Sequence, residues 1–209
     1  MGLLQSHAGC AAGLAKGARP AVSDELWRES LAAFRAALAA DAPTPGCGAA
    51  AAVTADLGLA LVVKALRISR RHADSVALAE QLAQAESLLG RLGRFADEDM
   101  QAFSDYLQAA QRDDEARDLA ARQACAVPLA SAHGCLQGLE IAVVARPLVR
   151  GALSSDVHAG GLLLHAALSA ALLNVDADLA QLSAAQAHRL RAARTRLQQD
   201  ADRCLAALR

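Results

Sequence analysis

Phe95-Ala96-Asp97-Glu98-Asp99-Met100-Gln101-Ala102-Phe103 is the stretch that decides the fold. Working back from it, apolar residues step alternately by three and four through Ala96, Leu92, Leu89, Ala85, Leu82 and Leu78, and the stripe runs forward through Phe103 and Tyr106. That spacing predicts one long helix with a buried seam, from about Asp74 to Gln111. Asp99 falls on the stripe, whereas Asp97 and Glu98 fall off it and read as solvated. An acid in an apolar seam costs several kcal/mol unless it is paired, hydrogen-bonded or protonated. Asp99 is therefore either a structural acid, paired with an arginine or capping a neighbouring helix, or a group that does chemistry.

Composition widens this to the whole chain. About a quarter of the 209 residues are alanine and only 2% are aromatic, which favours helices packed closely through small side chains over sheets. The expected class is all-α, an antiparallel up-and-down bundle of five to six long helices. A flexible tail is expected over residues 1–22 and a single helical domain over residues 23–209. The formal net charge of -1, with acids and bases interspersed, argues against nucleic acid as a partner. The longest apolar runs, Ala49 to Val63 and Gly160 to Val175, fall short of the roughly 20 residues a bilayer needs and read as buried core helices, so no membrane is expected. Five cysteines (Cys10, Cys47, Cys125, Cys135 and Cys204) with no CxxC pair argue against a disulfide framework and a zinc site, and for the cytoplasm. The first twenty residues lack the parts of a secretory signal, and the myristoylation-like start Met1-Gly2-Leu3-Leu4-Gln5-Ser6 is weak evidence.

Punctuation along the chain places the remaining elements. Ser23 is the expected cap of a first helix whose apolar face is Trp27, Leu31, Phe34 and Leu38. Two prolines and two glycines in Pro43-Thr44-Pro45-Gly46-Cys47-Gly48 make a tight loop, and a strongly apolar helix follows from Ala49 to Arg71. Within the long seam helix, Gly90 and Gly93 suggest a close contact or a slight bend. Arg112-Asp113-Asp114-Glu115 reads as a turn and an acidic start to a helix that reaches Ala145, kinked at Pro128. Ser154-Ser155-Asp156 is the expected cap of a fifth long helix, and an amphipathic helix closes the chain.

Four landmarks stand in order: Pro45-Gly46-x-Gly48 opening an Ala-rich helix, Arg70-Arg71 closing it, Asp99-x-x-Ala102-Phe103, and Ser155-Asp156 followed by Ala171-Leu172-Leu173-Asn174-Val175. This order resembles the cyclodeaminase/cyclohydrolase family of tetrahydrofolate one-carbon enzymes over roughly residues 24–205. The resemblance implies an enzyme acting on C–N bonds, a helical homodimer with its folate site in a groove near the subunit contact, a tetrahydrofolate derivative as substrate and no permanently bound cofactor. It also implies either attack of the folate's external amine on a formimino carbon with loss of ammonia, or addition of water to a methenyl bridge. Both pass through a tetrahedral carbon, and one carboxylate of tuned pKa serves either.

On that resemblance Asp99 is the general acid/base. Gly46, Cys47 and Gly48 would offer backbone N–H groups at a helix start. One of Arg70 and Arg71 would hold an anionic glutamate tail, the other complementing the helix dipole, with His72 extending that corner. Asp156 would lie near the ligand unless it is only a first-turn acid, and Asn174 is either a ligand contact or a structural hydrogen bond. His158 and His165, seven apart on one helix face, have no evident acidic companion, and no metal is expected. The family loop is commonly Pro-Gly-Gly-Gly-Ser, and here Cys47 and Ala49 replace a glycine and a serine. Two further readings therefore stand: a divergent member acting on a different small amine or imine, and a non-enzymatic helical binding or scaffold protein.

Overall fold

The computed structural model describes residues 26–73, 75–109 and 114–209. These residues are helical with no strand. A 3-10 turn at Leu26–Arg28 precedes α1 (Leu31–Leu38), α2 (Cys47–Arg70), α3 (Val76–Leu88), α4 (Arg91–Ala109), α5 (Asp114–Ala145), α6 (Ser154–Asp178) and α7 (Ala184–Ala207). The tail 1–22, the proposed cap Ser23, and Asp74, Arg112 and Asp113 lie outside the described residues.

Cross-helix registers fix the topology. Along α2 and α6, Cys47 meets Ala170, Gly58 meets Gly160, and Lys64 pairs with Asp156, so these two helices run antiparallel. Gly48 meets Asp99 and Asp56 meets Gly90, so α4 also opposes α2. Leu92 lies against Gly134 while Asp99 faces Pro128, so α5 opposes α4. His165 with Asp202 and Asp176 with Arg194 set α7 against α6. The up-and-down bundle expected from short connections is realised.

The core is aliphatic. Leu59, Val62 and Leu66 of α2, Leu139 of α5 and Leu164, Leu168 and Leu172 of α6 are fully buried, each leucine contributing about 1.5–3 kcal/mol through burial. Small residues let the backbones of α2 and α6 approach closely. A Cβ on Gly160 would lie 2.5 Å from the carbonyl oxygen of Gly58.

The expected single seam helix is two helices. Gly90 adopts φ 81° between α3 and α4, a left-handed conformation that glycine enters without steric cost. Its N–H donates to Asp56 Oδ1 at 2.8 Å, and the N–H of Gly93 also bonds to Asp56, so a buried acid of α2 caps α4. The apolar stripe persists across the break, with Leu78, Ala85, Leu92 and Ala96 buried. Gly93 makes the close contact anticipated for it, since a Cβ there would lie 2.4 Å from Trp27 Nε1. Asp97 is half-buried rather than solvated and accepts from the Leu26 N–H at 3.4 Å.

Other local expectations shift too. α1 starts after Ser30, whose hydroxyl accepts from the Ala33 N–H at 3.0 Å, and its apolar face is not buried as a unit. Leu31 is 74% exposed, while Phe34 packs on a small cluster of Ala49, Ala52, Val53 and Ala96. No side chain caps α6, because its N-cap position is Leu153, which has no acceptor, and Asp156 within the first turn pairs with Lys64 at 2.8 Å. Pro128 lies within α5, which runs on through it. The length argument against membrane spans is also corrected: α2, α5 and α6 extend beyond their most apolar runs and are long and apolar enough to cross a bilayer by length and composition. In the bundle, 67% of the most apolar window of α2 is buried.

Candidate functional site

At one end of the bundle the start of α2, the middle of α4, the Pro128 region of α5 and the end of α6 converge. Between them lies a cavity of about 210 Å³ lined by Pro43, Thr44, Gly46, Cys47, Asp99, Ala102, Phe103, Ala124, Asn174, Ala177 and Asp178. Thr44–Pro45 is a cis peptide in the loop that forms one wall.

Asp99 reaches this cavity because it lies over the first turn of α2. Gly46, the N-cap residue, supplies no capping side chain. Asp99 takes that role, accepting from the Ala49 N–H and from the side-chain amide of Asn174. The structural alternative, a cap on a neighbouring helix, is thus part of what Asp99 does. Among the described residues it is bonded to no guanidinium, and one side of the carboxylate remains on the cavity. Burial pushes its pKa above the usual carboxylate range, and the two hydrogen bonds pull it partly back. A carboxyl so balanced exchanges a proton nearer neutral pH than an exposed aspartate does.

Two neighbours share this field. Burial and the Asp99 charge raise the Cys47 thiol, which therefore stays protonated at neutral pH; its Sγ is 3.6 Å from the Ala170 carbonyl oxygen. Asp178 is pushed up to about 6 by burial and by Asp99. A second cavity, of about 280 Å³, lies between α5 and α7 around Leu129, Leu182 and Leu190. Its lining includes no carboxylate or histidine, and its Cys125 is raised to about 11, so it supplies no base at neutral pH.

Residues 30–196 match the formiminotransferase-cyclodeaminase family. The chain belongs to this family. Its fold is similar to the crystal structure of formiminotetrahydrofolate cyclodeaminase from Thermotoga maritima, with a TM-score of 0.81 and 20% sequence identity over 88% of this chain and 95% of that one. No curated protein matches the sequence.

In this formiminotransferase-cyclodeaminase relative, Gly46, Cys47, Asp99 and Asn174 come together at the cavity, with Gly48 directly beneath Asp99. Arg70, Arg71 and His72 do not join them within one chain. They lie at the opposite end of α2, roughly 33 Å from Gly48 at 1.5 Å per residue. Asp156 is displaced likewise, about 27 Å along α6 from Asn174, and bonds to Lys64. His165 does have an acidic companion: its Nε2 is 2.7 Å from Asp202 Oδ1 on α7, which fastens α6 to α7. His158 is half-buried near the start of α6. Among the described residues no three His, Cys, Asp or Glu side chains gather as metal ligands.

Asp178 is the site residue that sequence reasoning missed. It lies one turn beyond Asn174, so the i, i+4 spacing on one helix face was the available signal. Ala124 was missed as well. Its carbonyl lacks the helical N–H that Pro128, four residues on, cannot provide.

Proposed function

We propose that this protein is a folate one-carbon enzyme, a formiminotetrahydrofolate cyclodeaminase or a methenyltetrahydrofolate cyclohydrolase, with Asp99 as general acid/base. The observation that carries the reading is the Asp99 carboxylate, held by Ala49 and Asn174 with a raised pKa and facing a cavity at the glycine loop. In the cyclodeaminase direction the external amine of the folate attacks the formimino carbon. The amine's proton passes to Asp99, which delivers it to the outgoing nitrogen. Ammonia departs and the methenyl bridge remains. In the cyclohydrolase direction water adds to the methenyl carbon and gives a proton to Asp99, which returns it to the ring nitrogen as that C–N bond breaks, and the remaining hydroxyl proton leaves to solvent as the formyl C=O forms.

We further propose a homodimer, supported by the exposed leucines Leu57 on α2 and Leu162, Leu163 and Leu173 on α6, a larger apolar display than an isolated bundle needs. The protein would work in the cytoplasm, with no resident cofactor and no membrane partner, a setting in keeping with free Cys47, Cys125, Cys135 and Cys204. A second reading, a related C–N reaction on a different small amine or imine, is favoured by the remoteness of Arg70 and Arg71 from Asp99 in one chain. Purified protein given formiminotetrahydrofolate and, separately, methenyltetrahydrofolate tests both. Formation or loss of the methenyl absorbance faster than the spontaneous rate, abolished in Asp99→Asn, is the expected result. No turnover of either folate leaves the second reading in its place.

A further inference from the structure

Asp178 is the last residue of α6, at the negative end of that helix's dipole, where a carboxylate is disfavoured. It faces the same cavity as Asp99, and among the described residues its carboxylate makes no hydrogen bond or ion pair. Among the described residues, the cavity lining contains no lysine, arginine or histidine to neutralise the two acids. The other polar side chains of the lining are Thr44, Cys47 and Asn174, and the Asn174 amide is already bonded to Asp99. Such a lining presents two carboxylates and no cationic side chain.

We propose that Asp178 is a specificity-determining residue which, with Asp99, selects a ligand carrying a planar cationic N–C–N group, an amidinium. An amidinium spreads one positive charge over two nitrogens and presents N–H donors in two directions, so one acid can meet each nitrogen. A neutral amide of the same shape has one N–H edge and no charge to offset the pair. Among the described residues, the titratable groups facing Asp178 are Asp99 of α4, Cys47 of α2 and Cys125 of α5, all neutral or acidic. Burial first, and then the charge of Asp99, push Asp178 up to about 6, and a cation held between the two acids would relieve both. This rests on the proposed function only in identifying the amidinium with the formimino or methenyl centre of a folate.

The test compares binding of benzamidinium and its neutral isostere benzamide to the full chain by calorimetry at pH 7.5, in wild type, Asp178→Asn, Asp178→Ser and Asp178→Glu. Wild type should bind benzamidinium at least tenfold more tightly than benzamide. Both Asn and Ser variants should lose that preference, and Glu should restore part of it. Equal binding of the two probes to wild type, or no binding of either, overturns the proposal. A preference unchanged in the Asn and Ser variants overturns it as well. Folate turnover measured on the same samples separates the two ideas. Charge preference without turnover sinks the folate reading alone, and turnover without charge preference sinks the amidinium pair alone.

Discussion

A Cβ built on Gly48 would lie 2.0 Å from Oδ1 of Asp99. The carboxylate therefore occupies the space that any other residue at position 48 would fill, and the second glycine of the loop exists to let Asp99 approach the start of α2. Gly46 carries no such demand. A Cβ there would sit 3.9 Å from the Pro43 carbonyl oxygen, an ordinary contact.

Gly48→Ala should therefore displace Asp99, destabilise the fold by about 1–3 kcal/mol and lower turnover. Gly46→Ala should stay within about 0.5 kcal/mol of wild type. Urea unfolding of the two variants checks the contrast, and equal midpoints would contradict it.

Asp99→Asn preserves shape and the amide contact with Asn174 but removes the proton carrier. Turnover of the folate substrate should fall by about 100- to 10,000-fold, with KM changing far less than kcat. Steady-state kinetics decide it. A variant retaining wild-type kcat assigns Asp99 only its capping role.

The pH dependence of stability follows from Asp178. Its folded pKa, about 6, lies above its ordinary value, so its protonated form favours the folded state. The stability it contributes is complete below the ordinary aspartate range and is lost as pH rises to about 6. Thermal melts of wild type should fall relative to Asp178→Asn across that window. Parallel curves for the two proteins would place the titration elsewhere.

The start of α4 depends on a cap supplied from another helix. Asp56→Ala should lower unfolding free energy by about 1–2 kcal/mol, and Gly90→Ala, which must place a Cβ at φ 81°, by about 1–2 kcal/mol. Each is measured by denaturant unfolding. Hydrogen exchange should show the lost protection concentrated at residues 90–93 in Asp56→Ala.

Much of the bundle was legible because helix periodicity is a local property. The stripe through Leu78, Leu92 and Ala96 gave the buried face correctly even where the chain breaks at Gly90, since the break keeps the face while changing the backbone. Asp99 stood out because it interrupts that stripe. The break itself was not legible, because it requires Asp56, which is distant in sequence from Gly90 and reads as one more charge on an apolar helix. Landmark order grouped Arg70, Arg71 and Asp156 with Asp99, yet order along a chain carries no distance, and the long straight helices put them at the far end.

The sequence by itself determined the helical class, the faces that become core and the one acid inside a seam, because side-chain periodicity and propensity act over a few residues. Only the tertiary structure decided which ends meet. Antiparallel packing brings the start of α2, the middle of α4 and the end of α6 to one cavity. Asp178 thereby joins Asp99, and the arginine pair does not, because a rigid helix fixes the separation of its two ends.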